Sequence, residues 1–214
     1  MRRSDVIRPW RELWEERFSS EDYAYGTKPN AWIKEVLEGI EPSTILFAGE
    51  GEGRNAVWAA EQGWQVKAFD LTQAGCKKAL QLAATRGVEI DYWVQDISDL
   101  NPFDHNVDVV AHSFLHLSPE IQRVHIPKLL HALRPGGSLV SESYHTSQLG
   151  RKSGGPQSIE MLHDLDVVLS EYLTVGGSMI EQEHAEVATV MLDESDLHRG
   201  EARVVRLHLR RAMP

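Results

Sequence analysis

One cysteine, Cys76, stands in 214 residues, so no disulfide can close within the chain and a bridge-stapled secreted scaffold is excluded. A run of about 18 apolar residues, the length a membrane-spanning helix needs, is also missing, as is an apolar leader. The expectation is a soluble cytoplasmic protein without a membrane partner. Positive charge is scarce: 22 Lys and Arg against 32 Asp and Glu give a formal net charge of -10, which repels a phosphate backbone and argues against a nucleic-acid partner. The ten histidines form neither His-Glu-x-x-His nor a helical pair at ligand spacing, so no metal is expected. Repeats and low-complexity tracts are absent. A 42% hydrophobic content is ordinary for a folded chain of this length, so a single α/β domain is expected.

What is present is a rhythm. Short apolar runs at 44–48, 65–69, 90–94, 107–111 and 138–144 read as strands, and amphipathic stretches between them read as helices. The helix signals are local: Asn30 before Trp32, Ile33, Val36 and Leu37; Thr72 as a cap with Gly87 as a stop; and Ser118-Pro119-Glu120 as a start that closes at 133–137. A further helical period covers 161–173. Residues 179–192 and 201–210 are then two strand-like segments with no helix between them, which predicts an antiparallel hairpin at a sheet edge. Together these predict a doubly wound, mostly parallel seven-stranded sheet with a C-terminal antiparallel strand pair. Ahead of it, residues 1–43 are expected to form lid or collar helices on a core domain of 44–214, with Trp10, Trp14, Phe18, Tyr23 and Tyr25 supplying the aromatic surface.

The segment Gly49-Glu50-Gly51-Glu52-Gly53-Arg54-Asn55-Ala56 lies between the first strand and a helix N-terminus, where missing Cβ atoms let a ligand lie on the backbone. Part of it also satisfies the dinucleotide pattern, so a nicotinamide-dependent oxidoreductase is an alternative. Two acids weigh against that alternative, because Glu50 and Glu52 would face a pyrophosphate, whereas a sulfonium cation pays no such penalty. Asp70 ends the second strand and can accept from ribose hydroxyls. Gln95-Asp96-Ile97 ends the third, where Asp96 can accept from an exocyclic amine and Ile97 can cover an adenine face; a plain turn is the other reading of Asp96.

These residues, with Ala68-Phe69-Asp70-Leu71-Thr72, Leu133-Arg134-Pro135-Gly136-Gly137 and Gly154-Gly155-Pro156, resemble the class I methyltransferases of the tellurite-resistance type over nearly the whole chain. Tyr23-Ala24-Tyr25-Gly26-Thr27-Lys28-Pro29-Asn30 resembles the segment such enzymes fold over the cofactor. The resemblance implies S-adenosyl-L-methionine as cofactor, held by Tyr25, Gly49, Glu50, Gly51, Glu52, Gly53, Arg54, Asn55, Asp70, Leu71, Gln95, Asp96, Ile97 and His112. It departs from the family at Phe47, where an acid is usual, so Glu50, or Arg54 with Asn55, is the expected substitute at the methionine end.

Methyl transfer from a sulfonium needs alignment and water exclusion more than a triad. His116 and His198 are the candidate catalytic residues, able to take a proton or orient an acceptor. Tyr23, His116, Tyr144, His198 and Arg199 are the candidate substrate contacts. His198-Arg199 gains weight because the resembled enzymes carry a His-Arg pair in the corresponding last loop. Arg203 and Arg206 read either as part of an anion site or as charges guarding an edge strand. After the fourth strand, His112-Ser113-Phe114-Leu115 replaces the element of nucleic-acid amine methyltransferases, so a small-molecule acceptor is expected, a thiol or a chalcogen oxyanion, with the protein a monomer or weak homodimer. A non-catalytic cofactor-binding sensor or scaffold is the remaining alternative, for which Phe47 is the hint.

Overall fold

A computed structural model describes residues 3–213; Met1, Arg2 and Pro214, which belong to the two expected stretches, lie outside the described residues. Six α-helices accompany seven strands among these residues: α1 (Arg3–Phe18), α2 (Ala31–Glu38), β1 (Thr44–Ala48), α3 (Arg54–Glu61), β2 (Gln65–Asp70), α4 (Gln73–Arg86), β3 (Asp91–Val94), β4 (Val107–Ser113), α5 (Pro119–Ala132), β5 (Leu133–Tyr144), α6 (Leu165–Gly176), β6 (Ile180–Ser195) and β7 (His198–Arg211). The sheet order is β3-β2-β1-β4-β5-β7-β6, with β1 to β5 parallel and β7 antiparallel to both its neighbours. The expected doubly wound sheet with a terminal antiparallel pair is therefore observed.

Period-two alternation sorts each strand between two cores. In β1, Leu46 and Ala48 face Val110, Ile126, Leu129, Val168 and Val205 under α5 and α6. Ile45 and Phe47 face Trp32, Ile33, Ala56, Ala79 and Val109 under α2, α3 and α4. Phe47 is thus a core residue, fully buried. The expected collar divides physically: α2 contributes Trp32, Ile33 and Leu37 to this core, whereas α1 lies against α4.

Local signals placed several boundaries correctly. Asn30 Oδ1 accepts from Ile33 N, and Thr72 Oγ1 accepts from Gly75 N. Three boundaries differ from expectation. The helix expected from 161 begins at Leu165, because Asp164 Oδ1 accepts from Asp166 N and Val167 N and so sets the first turn. Residues 133–137 do not close α5; they open β5, where the register jumps between Val107 and Val109 and Gly136 takes φ +81°. The hairpin is longer than expected, so His198 and Arg199 are not in a loop: His198 opens β7 opposite Ser195.

Candidate active site

The carboxyl ends of the parallel strands carry the β1–α3 turn, the ends of β2 and β3, and the β4–α5 connection. Helix α1 and the β6–β7 turn close over them. Between these segments lies a cavity of about 640 Å³. Its lining includes Tyr25, Gly49, Glu50, Gly51, Glu52, Arg54, Asn55, Asp70, Leu71, Gln95, Asp96, Ile97, His116, Tyr144 and His198 from the sequence expectations, together with Trp10, Trp14, Phe18, Ser113 and Phe114.

The turn is held from within. Gly51 has φ +63°, and a Cβ there would come within 3.1 Å of Phe18 Cζ, so the ring lies directly on the backbone. Glu50 Oε1 accepts from Asn55 N and Ala56 N, and Oε2 accepts from Asn55 Nδ2, so this carboxylate occupies the N-terminus of α3. Burial outweighs these donors and pushes Glu50 up to about 7. Glu52 pairs with Lys78 Nζ at 2.6 Å. The acids of the turn are therefore engaged with protein groups rather than arrayed toward a ligand. Asp70 Oδ2 accepts from Gly51 N, and its Oδ1 accepts from Thr72 N and Thr72 Oγ1, so it ties the end of β2 to the turn while lining the cavity. Asp96 Oδ1 accepts from Ser98 N in the capping role sequence allowed, and Gln95 Oε1 accepts from Trp93 Nε1.

Behind the turn runs a buried polar network. Asn55 Oδ1 accepts from Asn30 N, Asn30 Nδ2 donates to Glu142 Oε1, and Arg206 Nε donates to Glu142 Oε2 at 2.7 Å. Glu142 is only 2% exposed. Arg206 is therefore neither an anion site nor an edge guard; it neutralises a carboxylate inside the sheet.

His198 also lines the cavity, buried, with Nδ1 2.8 Å from Glu194 Oε2. Glu194 also takes Arg54 Nη1 at 2.7 Å, which joins the β6–β7 turn to the cofactor-type turn. Burial alone would raise Glu194, but the hydrogen bond from His198 and the charge of Arg54 hold it below the usual carboxylate range. Burial lowers His198, against the opposing pull of Glu194. The ring is packed by Tyr25 at 4.4 Å and by Phe114 at 4.7 Å between centroids. Phe114 itself has φ +52°, a left-handed backbone that is costly for an aromatic residue and is retained where it presents a ring to the cavity.

Other expected site residues are placed differently. His116 lines the cavity, but Nδ1 donates to Met161 O at 2.7 Å and Nε2 accepts from Tyr144 N, so neither nitrogen is left for proton transfer. Burial also pushes it down to about 3. His112 faces α5 and α6, bonds Tyr172 Oη at 3.2 Å and does not line the cavity, because its position in β4 alternates to the far side of the sheet. Tyr23 turns away to donate to Lys78 O, with Lys78 Nζ 5.0 Å from its ring. Arg199, 62% exposed along its side chain, pairs with Asp196 on the solvent side of the hairpin. Gly53 faces Ala79 of α4, not the cavity. Tyr144 lines the cavity with its ring while its hydroxyl donates to Ser153 O.

Glu194, the partner of His198, and the cavity-lining Phe114 are among the site residues the sequence did not single out. The only available hint for Glu194 was an acid four residues before His198, across a tight hairpin. Helix α1 was expected to cover the site, and its anchoring is visible: Glu15 accepts from Gln73 N at 2.9 Å and Ala74 N at 3.0 Å, capping α4. In Glu15→Ala, loss of a cap worth about 1 kcal/mol should speed hydrogen exchange in α1 roughly fivefold, with exchange in β1 and β4 unchanged.

Residues 45–137 match the family described as a methyltransferase domain. No curated protein sequence matches the chain. A solved structure reported for the conversion of a disulfide bond into a thioacetal group during echinomycin biosynthesis has a TM-score of 0.74 at 18% identity, over 97% of this chain and 92% of that one. The N-methyltransferase NodS from Bradyrhizobium japonicum WM9, in complex with S-adenosyl-L-homocysteine, has a TM-score of 0.68 at 16% identity, over 94% of this chain and 97% of that one. TehB from Haemophilus influenzae has a TM-score of 0.66 at 15% identity, over 94% of this chain and 66% of that one. The chain thus has the fold of the class I methyltransferases, and its residues 45–137, from β1 to the bulge that opens β5, match a methyltransferase domain.

Proposed function

We propose that the protein transfers a methyl group from S-adenosyl-L-methionine to a small-molecule acceptor. The observation that carries this reading is one continuous cavity lined both by Gly49, Glu50, Gly51 and Glu52 of the turn and by His198, whose Nδ1 is held by Glu194. The residues present fit the cofactor. Ile97 and Leu71 offer an apolar slot for a base, and the aromatic rings of Phe18 and Tyr25 suit a sulfonium. When bound, the cofactor supplies an already activated methyl group. The chain's own residues then align the acceptor, exclude water beneath α1, and accept a proton at His198 Nε2.

Within this reading Glu50, Asn55, Ser113 and Arg54 surround the methionine end, Gly49 and Gly51 shape the turn beside it, and Asp70, Leu71, Gln95, Asp96 and Ile97 take the adenosine. Asp70 acts chiefly by fixing the turn. Helix α1 and the 23–30 segment serve as the lid; α2 belongs to the core. Glu194 positions His198 in the tautomer whose Nδ1 carries the proton. A dinucleotide fits less well, because the Glu50 carboxylate already fills the helix N-terminus where a pyrophosphate would sit. Phe47, the hint for the non-catalytic reading, is a packed core residue. A reducing cytoplasm suits the unpaired, buried Cys76, and the reaction needs only one copy of the chain.

Calorimetric titration of the full chain with S-adenosyl-L-homocysteine tests the reading. Sub-millimolar binding, competed by S-adenosyl-L-methionine and not by NADH, is expected; absence of binding, or preference for NADH, overturns it.

A further inference from the structure

The motif Gly154-Gly155-Pro156 has no part in the function described so far. It lies between β5 and α6, in a segment whose residues Gly155, Pro156, Gln157 and Ser158 line the cavity. Gly154 has φ +117°, but backbone conformation alone does not account for it. Gly150, in the same segment, also has a positive φ of +81°, and a Cβ there would meet nothing within 4 Å. A Cβ on Gly154 would overlap the Tyr144 hydroxyl and come within 2.9 Å of Leu197 O and 3.0 Å of His198 Cδ2. The end of β5, the β6–β7 turn and the His198 ring thus meet at one point, which only a residue without a side chain leaves open.

The segment is not free to move aside. Its anchor is Gln148, only 1% exposed, whose Nε2 donates to Ser153 Oγ at 2.9 Å and to Gly154 O at 3.0 Å, while its Oε1 accepts from Arg203 N of β7 at 2.8 Å. Ser153 Oγ in turn donates to Glu201 O at 2.7 Å, and Tyr144 Oη donates to Ser153 O. Shifting Gly154 would break several buried hydrogen bonds together, and each is costly to leave unmade. The imidazole is held from its other sides as well. Glu194 takes Nδ1, and the rings of Tyr25, Phe114 and Tyr144 stand 4.4, 4.7 and 5.7 Å from it between centroids. Gly154 adds the contact at the Cδ2 edge, the carbon bonded to Nε2.

We infer that Gly154 is a positioning residue for His198: its backbone, suspended from Gln148 and Ser153, lies against the Cδ2 edge of the imidazole and keeps Nδ1 on Glu194. The placement of the ring does not depend on the methyl-transfer reading, whereas its bearing on an acceptor rests on that reading. Gln148, which no sequence motif marked, becomes the link that ties the wall formed by 155–158 to β7 and so to the strand His198 opens.

The test reads the imidazole itself, by nitrogen-15 NMR of the full labelled chain at a pH where His198 is neutral. In the wild type the tautomer protonated at Nδ1 is expected to dominate. In Gly154→Ala the ratio of Nδ1-protonated to Nε2-protonated ring should fall about tenfold, the factor carried by loss of a hydrogen bond to a charged group. Gly150→Ala, which imposes the same kind of backbone strain without the contact, should leave the ratio unchanged. Ser153→Ala loosens the segment without adding an atom and should give an intermediate ratio, so the inference stays open to refutation if Gly154→Ala does not fold. A wild-type ratio in folded Gly154→Ala, an equal fall in Gly150→Ala, or a wild-type ratio in Ser153→Ala where Gly154→Ala does not fold overturns it. Gly154 does not itself line the cavity, so calorimetric affinity for S-adenosyl-L-homocysteine should match the wild type in Gly154→Ala. A parallel loss of that affinity would mean distortion of the whole cavity and would also overturn it. Failure of the wild type to bind S-adenosyl-L-homocysteine removes the methyl-transfer reading instead and leaves the tautomer result standing, so the two failures are distinguishable.

Discussion

His198→Ala is expected to lower turnover by about 10²- to 10⁴-fold, the range for removing a positioned general base, while affinity for S-adenosyl-L-homocysteine is retained. The ring lines the cavity, and its Nδ1 is committed to Glu194. The pH dependence follows from the direction of its shift. Burial lowers the imidazole below its usual range, so the neutral base persists under acid. Activity should therefore hold on descending through the ordinary histidine pKa of about 6.5 and fall only below it. Stopped-flow or steady-state assays across pH check both parts. A variant with full turnover, or an acid limb unchanged between wild type and Glu194→Gln, would exclude His198 as the base aligned by Glu194.

Arg206→Ala should cost about 3 kcal/mol of stability, because it leaves Glu142 buried with only Asn30 to bond its carboxylate. For a chain of this size that corresponds to a fall in Tm of roughly 6–12 °C. Burial already raises Glu142 above the ordinary range, and loss of the Arg206 charge raises it further. The sign follows: with the folded pKa above the unfolded one, the penalty is present while the unfolded carboxyl is ionised. It disappears as pH falls below the ordinary glutamate range, where both states are protonated. The variant's deficit should therefore be largest near neutrality and narrow toward pH 4, as read by denaturant unfolding at several pH values. Because Glu142 reaches the turn through Asn30 and Asn55, cofactor affinity should weaken in the same variant.

Much of the site was legible from local chemistry. The glycines follow directly on β1, Asp70 ends β2 and Gln95-Asp96-Ile97 follows β3, so strand periodicity alone brings them to one edge of the sheet. Asn30, Thr72 and Gly87 announced helix ends for the same local reason. Other residues carried no such signal. His112 and Ser113 are adjacent in β4, yet they face opposite sides of the sheet, and only Ser113 lines the cavity. His116 looks like His198 in sequence, but the β5 backbone and Met161 take both its nitrogens. Arg199 adjoins His198 and points to solvent, because neighbours on a strand alternate.

The sequence by itself determined the order of elements, the sheet architecture and the glycine turn, since each depends on periodicity, caps and residues close together in the chain. Tertiary structure decided what the charges do. Arg54 meets Glu194, Glu142 meets Arg206, and Glu52 meets Lys78 only after distant segments pack, and burial then fixes which acids and bases are neutralised. Electrostatic pairing depends on distance in space, and nothing in the spacing of these residues along the chain encodes it.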